Sequence, residues 1–401
     1  MRRAISLNLL FAVGWVGTLC AGSLDLAAPP HDYWTRPLTD RFSRFKTELE
    51  TGQVTLTAAN EKEFLVSLLR ALEIPVSSQM LVFSTTSLQL RLISPSNPRA
   101  LFFNEDVYIG YIPGGRIEVV SLDPQAGGIF YILDIPRRGE PVRIERSTRC
   151  MNCHAGEQTR DLPGLVVKSV VPGVSGGSLV SFRQEQTGHG IPFSERFGGW
   201  YVTGRHAITE HLGNLVGRLS PQGLTKLPIE VGKLFEFDRY PAATSDVLPQ
   251  LVHEHQIGFV NRAIEAGYGA RAAAADPEEL ARPLTRYLLF ADEVPLPAGG
   301  VEGDAVFKAD FLRDRRTAAG GGALKDFDLQ TRLFAHRCSY MIYSTAFRGL
   351  PVEVKQQVYA GLHRALSSDA PDPEYAYLPP DEKQAIRNIL RTTLTDLPAD
   401  W

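Results

Sequence analysis

ALFFNEDVYIGYIPGG, residues 100–115, sets two short runs of aliphatic and aromatic residues on either side of a polar break and closes on Pro-Gly-Gly. ALFF and VYIGYI have the length and composition of β-strands, and the residues between and after them are turn formers, so the stretch predicts two consecutive strands. The same alternation extends in both directions. LVFS (81–84) precedes it, IEVVSL (117–122) and IFYIL (129–133) follow, and Ser-Pro, Asn-Pro and Gly-Gly separate the runs. An antiparallel sheet between about Pro75 and Leu133 is predicted. Upstream, Phe64, Leu65, Leu68, Leu69 and Leu72 recur at three and four residues, which predicts an amphipathic helix over 60–72 that stops before Pro75. Downstream, LVVKSVV (165–171), SLVSF (178–182) and GWYVTG (199–204) read as further strands. From about Ser245 the periodicity is helical to the end, with GYGARAAAAD (267–276) and AAGGGALKD (318–326) read as linkers or loops. The fold class is α+β: a sheet-rich N-terminal half over 23–135, a middle segment over 136–240 and a helical C-terminal half over 241–401.

Composition narrows the function classes. The 401 residues are 44% hydrophobic and 22% charged with a net charge of -3, which is the profile of a globular protein. The basic excess of a nucleic-acid binder and the bias of a disordered chain are both missing. Residues 1–22 start with Arg2 and Arg3, continue through Leu9, Leu10, Phe11, Val13, Trp15 and Val16, and end at Ala21 and Gly22. That order of basic, apolar and small residues is a secretory signal peptide, with cleavage expected after Gly22. A retained N-terminal anchor is the alternative, but the run is short for a span of about 20 apolar residues. The residues before Cys20 match a lipoprotein signal poorly. Cleavage leaves Cys150, Cys153 and Cys338, an odd number that cannot form a complete set of disulfides.

Two of the three lie in RCMNCHAG, residues 149–156. Cys-x-x-Cys-His is the attachment pattern of c-type haem, with two thiols spaced for the two vinyl groups and an adjacent imidazole for the iron. A structural zinc site would need a second ligand pair. The chain has no second cysteine pair, and His253 and His255 are about a hundred residues away at too tight a spacing. A redox dithiol would leave His154 without a role and wants a strand-to-helix context that RIERSTR does not resemble. Haem attachment uses all three residues, with Cys150 and Cys153 covalently bound and His154 as the proximal iron ligand.

The motif therefore resembles a c-type cytochrome with a single haem site. SSQMLVFSTTSLQ (77–89), ALFFNEDVYIGYIPGG, FGGWYVTGRH (197–206) and CSYMIYSTAF (338–347) together resemble a functionally uncharacterised family of exported bacterial proteins with one such site. The resemblance spans most of the chain. It implies one covalent haem c and export to the periplasm or beyond; it implies no reaction.

The second axial position falls to another residue. Met341 is far downstream and Met80 precedes the motif, so histidine is favoured over methionine. His189, His206 and His211 lie 35, 52 and 57 residues after His154. His206 ranks first because it follows GWYVTG and the hinge-like Gly204. His189 ranks second, between Gly188 and Gly190. His211 ranks third, since a helical separation of five residues would turn it about 140° from His206. His255 falls on an apolar face with Leu248, Leu251, Val252 and Phe259 and reads as a satisfied core histidine, whereas His253 should be solvated. Cys338 reads as a buried inert thiol. Trp200 and Tyr201 read as core or as a wall for the porphyrin. Arginines 137, 138, 143, 146 and 149, opposed by Glu140 and Glu145, read equally as propionate or partner contacts and as a solvated loop.

Electron transfer to a redox partner protein is the expected function. A haem-dependent, peroxidase-like oxidoreductase and a haem-based ligand-binding module are the alternatives. No nucleic-acid partner is expected, nor any integral membrane span after cleavage.

Overall fold

The computed structural model describes residues 25–57, 59–137, 140–182, 188–367, 372–399 and 401. The signal-peptide reading of residues 1–22 and Arg138 lie outside the described residues. Two helices lead, α1 (Arg41–Glu50) and α2 (Glu61–Ala71). Asp40 caps α1, its Oδ1 accepting from the Phe42 and Ser43 amides, and Asn60 caps α2 through the Glu63 amide. The predicted sheet follows as β1 (Met80–Val82), β2 (Arg99–Phe103), β3 (Val107–Tyr111), β4 (Ile117–Asp123), β5 (Gly127–Asp134) and β6 (Arg143–Arg146). A short helix α3 (Met151–His154) and the strands β7 (Ser169–Pro172), β8 (Ser178–Phe182), β9 (Trp200–Tyr201), β10 (Leu215–Ser220) and β11 (Gly223–Pro228) make up the middle. Beyond it come α4 (Val247–Arg271), α5 (Pro277–Leu288), α6 (Ala305–Leu312), α7 (Thr345–Arg348), α8 (Val352–Leu366) and α9 (Pro380–Thr393). The class is α+β, sheet-rich first and helical afterwards.

Seven strands form one antiparallel sheet in the order β6-β5-β4-β3-β2-β1-β9. The middle segment supplies both edges: β6 pairs Tyr131 with Arg146, and β9 returns to pair Val82 with Trp200. RIERSTR is thus partly a strand, but an exposed edge one. Alternation along the strands sorts side chains between two cores. Leu81, Phe102, Ile109 and Val119 face α1 and α2, where Phe42, Phe64, Leu65 and Leu68 cover them. Met80, Val82, Phe103, Tyr108 and Leu122 face the helical half. The sheet is therefore the middle of three layers. Trp200 and Tyr201, adjacent on β9, split between the two cores.

Helix α4 is the central element of the helical layer. Most of its residues are buried, with apolar residues on all sides, as expected of a helix enclosed by protein. Two expectations fail here. The GYGAR part of the supposed linker is the last turns of α4, because Tyr268 is buried with its hydroxyl donating to the Ala126 carbonyl and Gly269 lets Leu280 approach. His253 is buried rather than solvated. It packs against Phe103, Tyr108 and Trp200 on the sheet, since α4 has no solvent face at that turn. His255 is a satisfied core histidine, bonded to Ser339 Oγ at 2.7 Å and to His189. Cys338 is fully buried, which pushes its thiol pKa up.

Two predictions arise from α4. Gly204 has φ +90, and a Cβ there would lie 2.0 Å from Oδ2 of Asp246, the N-cap of α4. Gly204→Ala should therefore cost about 2 kcal/mol or more, read as a lower denaturant midpoint at unchanged m-value. The second concerns acid. Burial holds both His253 and His255 down to about 3. Below the ordinary value of about 6.5 the unfolded chain takes up protons that these rings refuse, so stability is complete above that pH and falls as pH drops toward 3. Each ring contributes a slope approaching about 1.4 kcal/mol per pH unit. Glu293, raised to about 7 by burial, opposes only one of the two. Urea midpoints should fall between pH 7 and 5; a flat profile contradicts the assignment.

Candidate haem-attachment site

The Cys-x-x-Cys-His motif begins where β6 ends. The Ser147 amide donates to the Phe130 carbonyl at 2.8 Å, carrying the strand pairing one residue further. The chain then turns into α3, in which the Cys150 carbonyl accepts from the Cys153 and His154 amides at 3.1 and 3.0 Å. One helical turn thus carries both thiols and the imidazole. Cys150 is half-buried, Cys153 is exposed and both are free. Burial raises the Cys150 pKa, against the weaker pull of a Ser147 hydrogen bond. A redox dithiol needs a thiolate stabilised at neutral pH, and this thiol is shifted the other way.

His154 is oriented from two sides. Its ring lies 4.5 Å from the Phe130 ring, centroid to centroid, and its Nδ1 is 2.9 Å from the Gly164 carbonyl oxygen. A carbonyl only accepts, so Nδ1 carries the proton and Nε2 holds the lone pair. Backbone anchoring of Nδ1 with Nε2 left to bind is how metal-ligating histidines are held. The Gly164 amide donates back to the His154 carbonyl at 2.8 Å, and Thr159 Oγ1 donates to the same oxygen at 3.0 Å. Glycine is required at 164: a Cβ would stand 2.8 Å from Asn261 Oδ1 and 2.9 Å from Thr159 Cγ2. Asn261 on α4 fixes the next residue by bonding both the amide and the carbonyl of Leu165, at 2.9 and 2.8 Å. Desolvation pushes the His154 pKa down to about 4, although the residue as a whole is only half-buried. The imidazole is neutral, as an iron ligand must be.

The residues present fit a c-type haem, with Cys150 and Cys153 as thioether positions and Nε2 of His154 as the proximal donor. Among the described residues no cluster of three or more His, Cys, Asp and Glu could hold a bare metal ion.

The other three histidines fall into two places. His206 and His211 face each other with ring centroids 5.6 Å apart. The 140° turn that would separate them in a helix does not apply, because 205–211 is a run of bends and bridges. The Gly213 amide donates to His211 Nδ1, and burial together with the neighbouring His206 lowers the His211 pKa to about 4. Among the described residues no well-aligned hydrogen bond reaches the buried His206 Nδ1, while the Ile208 backbone raises the ring's pKa against a larger lowering by burial. His189 instead stacks on Tyr287 at 4.1 Å and Phe290 at 4.8 Å, and its Nδ1 meets His255 Nδ1 at 2.9 Å. Arg196 holds this loop by donating to the Ile191 and His189 carbonyls and pairing with Glu254 of α4. Sequence reasoning passed over Arg196, Glu254 and Tyr287; only the spacing of Glu254 beside His255 on an apolar helix hinted that a buried charge needed a partner.

The basic approach to the motif divides similarly. Arg146 is structural, donating to the Tyr33 carbonyl at 2.7 Å and stacking over Tyr33 and Trp34, while Arg137, Arg143 and Arg149 are exposed. Among the described residues no helix is long and apolar enough to cross a membrane. No protein-family model, curated protein or solved structure matches the chain.

Proposed function

We propose that the protein is an exported, periplasmic or extracellular, monohaem c-type cytochrome that passes electrons to a redox partner protein. The observation that carries this reading is the anchoring of His154 Nδ1 on the Gly164 carbonyl, which leaves Nε2 as the ring's lone-pair nitrogen on the same helical turn as Cys150 and Cys153. Bound there, haem c would supply a one-electron couple. The chain's own contribution is to fix the imidazole tautomer, keep the ring neutral and limit water at its face, all of which tune a haem potential. The exposed Arg137, Arg143 and Arg149 beside the motif supply positive charge for docking an acidic partner.

His206, His189 and His211 are the proposed distal ligands, in that order. Bis-histidine ligation should give a low-spin spectrum and a potential below that of a His/Met pair. His206→Ala, His189→Ala and His211→Ala, each purified with haem attached, should include one variant whose iron turns high-spin. If the wild-type iron is already high-spin, the distal position is open and the oxidoreductase or ligand-binding alternative replaces electron transfer.

A further inference from the structure

The face of the seven-stranded sheet toward α4 is covered unevenly. At Phe103, Tyr108 and Leu122 it is buried under the helical core. Further along the same strands the cover stops. Arg99 and Leu101 on β2 and Glu118 and Val120 on β4 are only half-buried, while their neighbours on the opposite face, Ala100, Phe102, Ile117 and Val119, are at most 1% exposed. Between them lies Gly110 of β3, opposite Leu101 on one side and Glu118 on the other. It carries no side chain, and the three atoms nearest to where a Cβ would stand all belong to β2 and β4, at 3.4 and 3.5 Å. The middle layer of the molecule thus keeps an open floor with a gap at its centre.

The floor adjoins the Cys-x-x-Cys-His motif. Val120 pairs across the ladder with Phe130, the ring on which His154 lies. Side chains paired in this way stand about 5 Å apart, so the floor begins one strand from the His154 imidazole. The charges agree: Arg99 and Lys168 lower the His154 pKa and Glu118 raises it. Two of these three are matched, since Glu118 accepts from Arg99 as well as from Ser87 and Gln89 in the loop beside the floor. Lys168 makes no ion pair among the described residues. Its backbone is held in place, the carbonyl accepting from Trp200 Nε1 at 2.8 Å. Trp200 in turn pairs with Val82, the partner of Arg99, which ties Lys168 to the same end of the sheet.

We propose that Gly110, Leu101 and Val120 form the seat of the porphyrin and that Lys168 pairs with one of its propionates. The seat rests on the haem reading above, because the tether at Cys150 and Cys153 is what selects haem as its occupant. A flat apolar ring held at α3 needs an apolar surface beside His154, and covering Leu101 and Val120 removes their exposed area from water. The missing side chain at Gly110 leaves the ring room to approach the backbone, and an ammonium group beside a carboxylate is a charge-assisted hydrogen-bond pair.

The test compares methyl NMR spectra of the full-length, haem-loaded protein in its reduced state with those of the chain carrying Cys150→Ala and Cys153→Ala. The methyls of Leu101 and Val120 should move upfield under the porphyrin ring current, and those of Val352 on α8 should not. Gly110→Leu puts a side chain into the seat. Its haem should stay attached, since the thiols are untouched, while added imidazole should bind the iron about tenfold more tightly and the potential should fall as the ring gains solvent. Lys168→Gln removes a positive charge that favours the reduced haem, so it should lower the potential at an unchanged amount of attached haem. Attached haem with unshifted Leu101 and Val120 methyls overturns the seat and leaves the attachment standing; a chain without attached haem overturns both. Unchanged imidazole affinity in Gly110→Leu also overturns the seat, and an unchanged potential in Lys168→Gln overturns the propionate pairing. The methyl shifts, read on the wild-type chain, decide the matter if Gly110→Leu misfolds.

Discussion

Cys150→Ala combined with Cys153→Ala should reduce covalently retained haem to background, the largest single effect expected of any change in this chain. In the proposed attachment each thioether would be one bond between the chain and a vinyl carbon, so a chain without either sulfur would hold haem only by His154 and packing, and denaturation would release it. The fold should survive. Cys153 is exposed, Cys150 is half-buried, and neither is paired, so the cost in stability should be below about 1 kcal/mol, as for changes outside a core. Single variants should fall between, with one thioether each. Pyridine haemochrome measured after acid-acetone extraction reads both the amount and the number of thioethers. Wild-type levels of retained haem in the double variant contradict the attachment assignment.

His154→Ala separates attachment from ligation. Both thiols remain, so the haem should stay on the chain, while the proposed proximal nitrogen disappears. The iron should lose its low-spin spectrum and bind added imidazole, which restores it. The loss has a structural side as well. The Gly164 carbonyl loses its donor and Phe130 loses the ring that covers it, for a cost of about 1–3 kcal/mol. Gly164→Val gives an independent check: it leaves His154 in place but forces its anchor away from Asn261 and Thr159. It should therefore weaken axial ligation without removing the haem. An unchanged spectrum in His154→Ala means that another side chain is the proximal ligand.

Much of the fold was legible because its signals are local. The runs ALFF, VYIGYI, IEVVSL and IFYIL became β2 to β5 because turn formers delimit each and neighbours in sequence pair in space. Phe64, Leu65, Leu68 and Leu69 became the buried face of α2 for the same reason. What the sequence hid is what depends on distant packing. β9 joins the sheet beside β1 more than a hundred residues earlier, and no local pattern encodes that partner. His253 could not be separated from a solvated residue because a face of α4 that periodicity left over is covered by the sheet itself. At the site, the three residues of the motif are read from spacing alone. The Gly164 anchor is not, since a glycine ten residues on becomes meaningful only once the loop folds back to put its carbonyl on His154. The pairing of His189 with His255 and the closeness of His206 to His211 are likewise tertiary facts.

The most direct test of the central claim is the intact mass of the protein recovered from the exported fraction of a host with a c-type haem attachment system. The account predicts a chain that begins among Ser23 to Ala28 and carries the mass of one haem that denaturation and acid-acetone do not remove. A chain at its apo mass, with pigment released into the solvent or with none present, would contradict it.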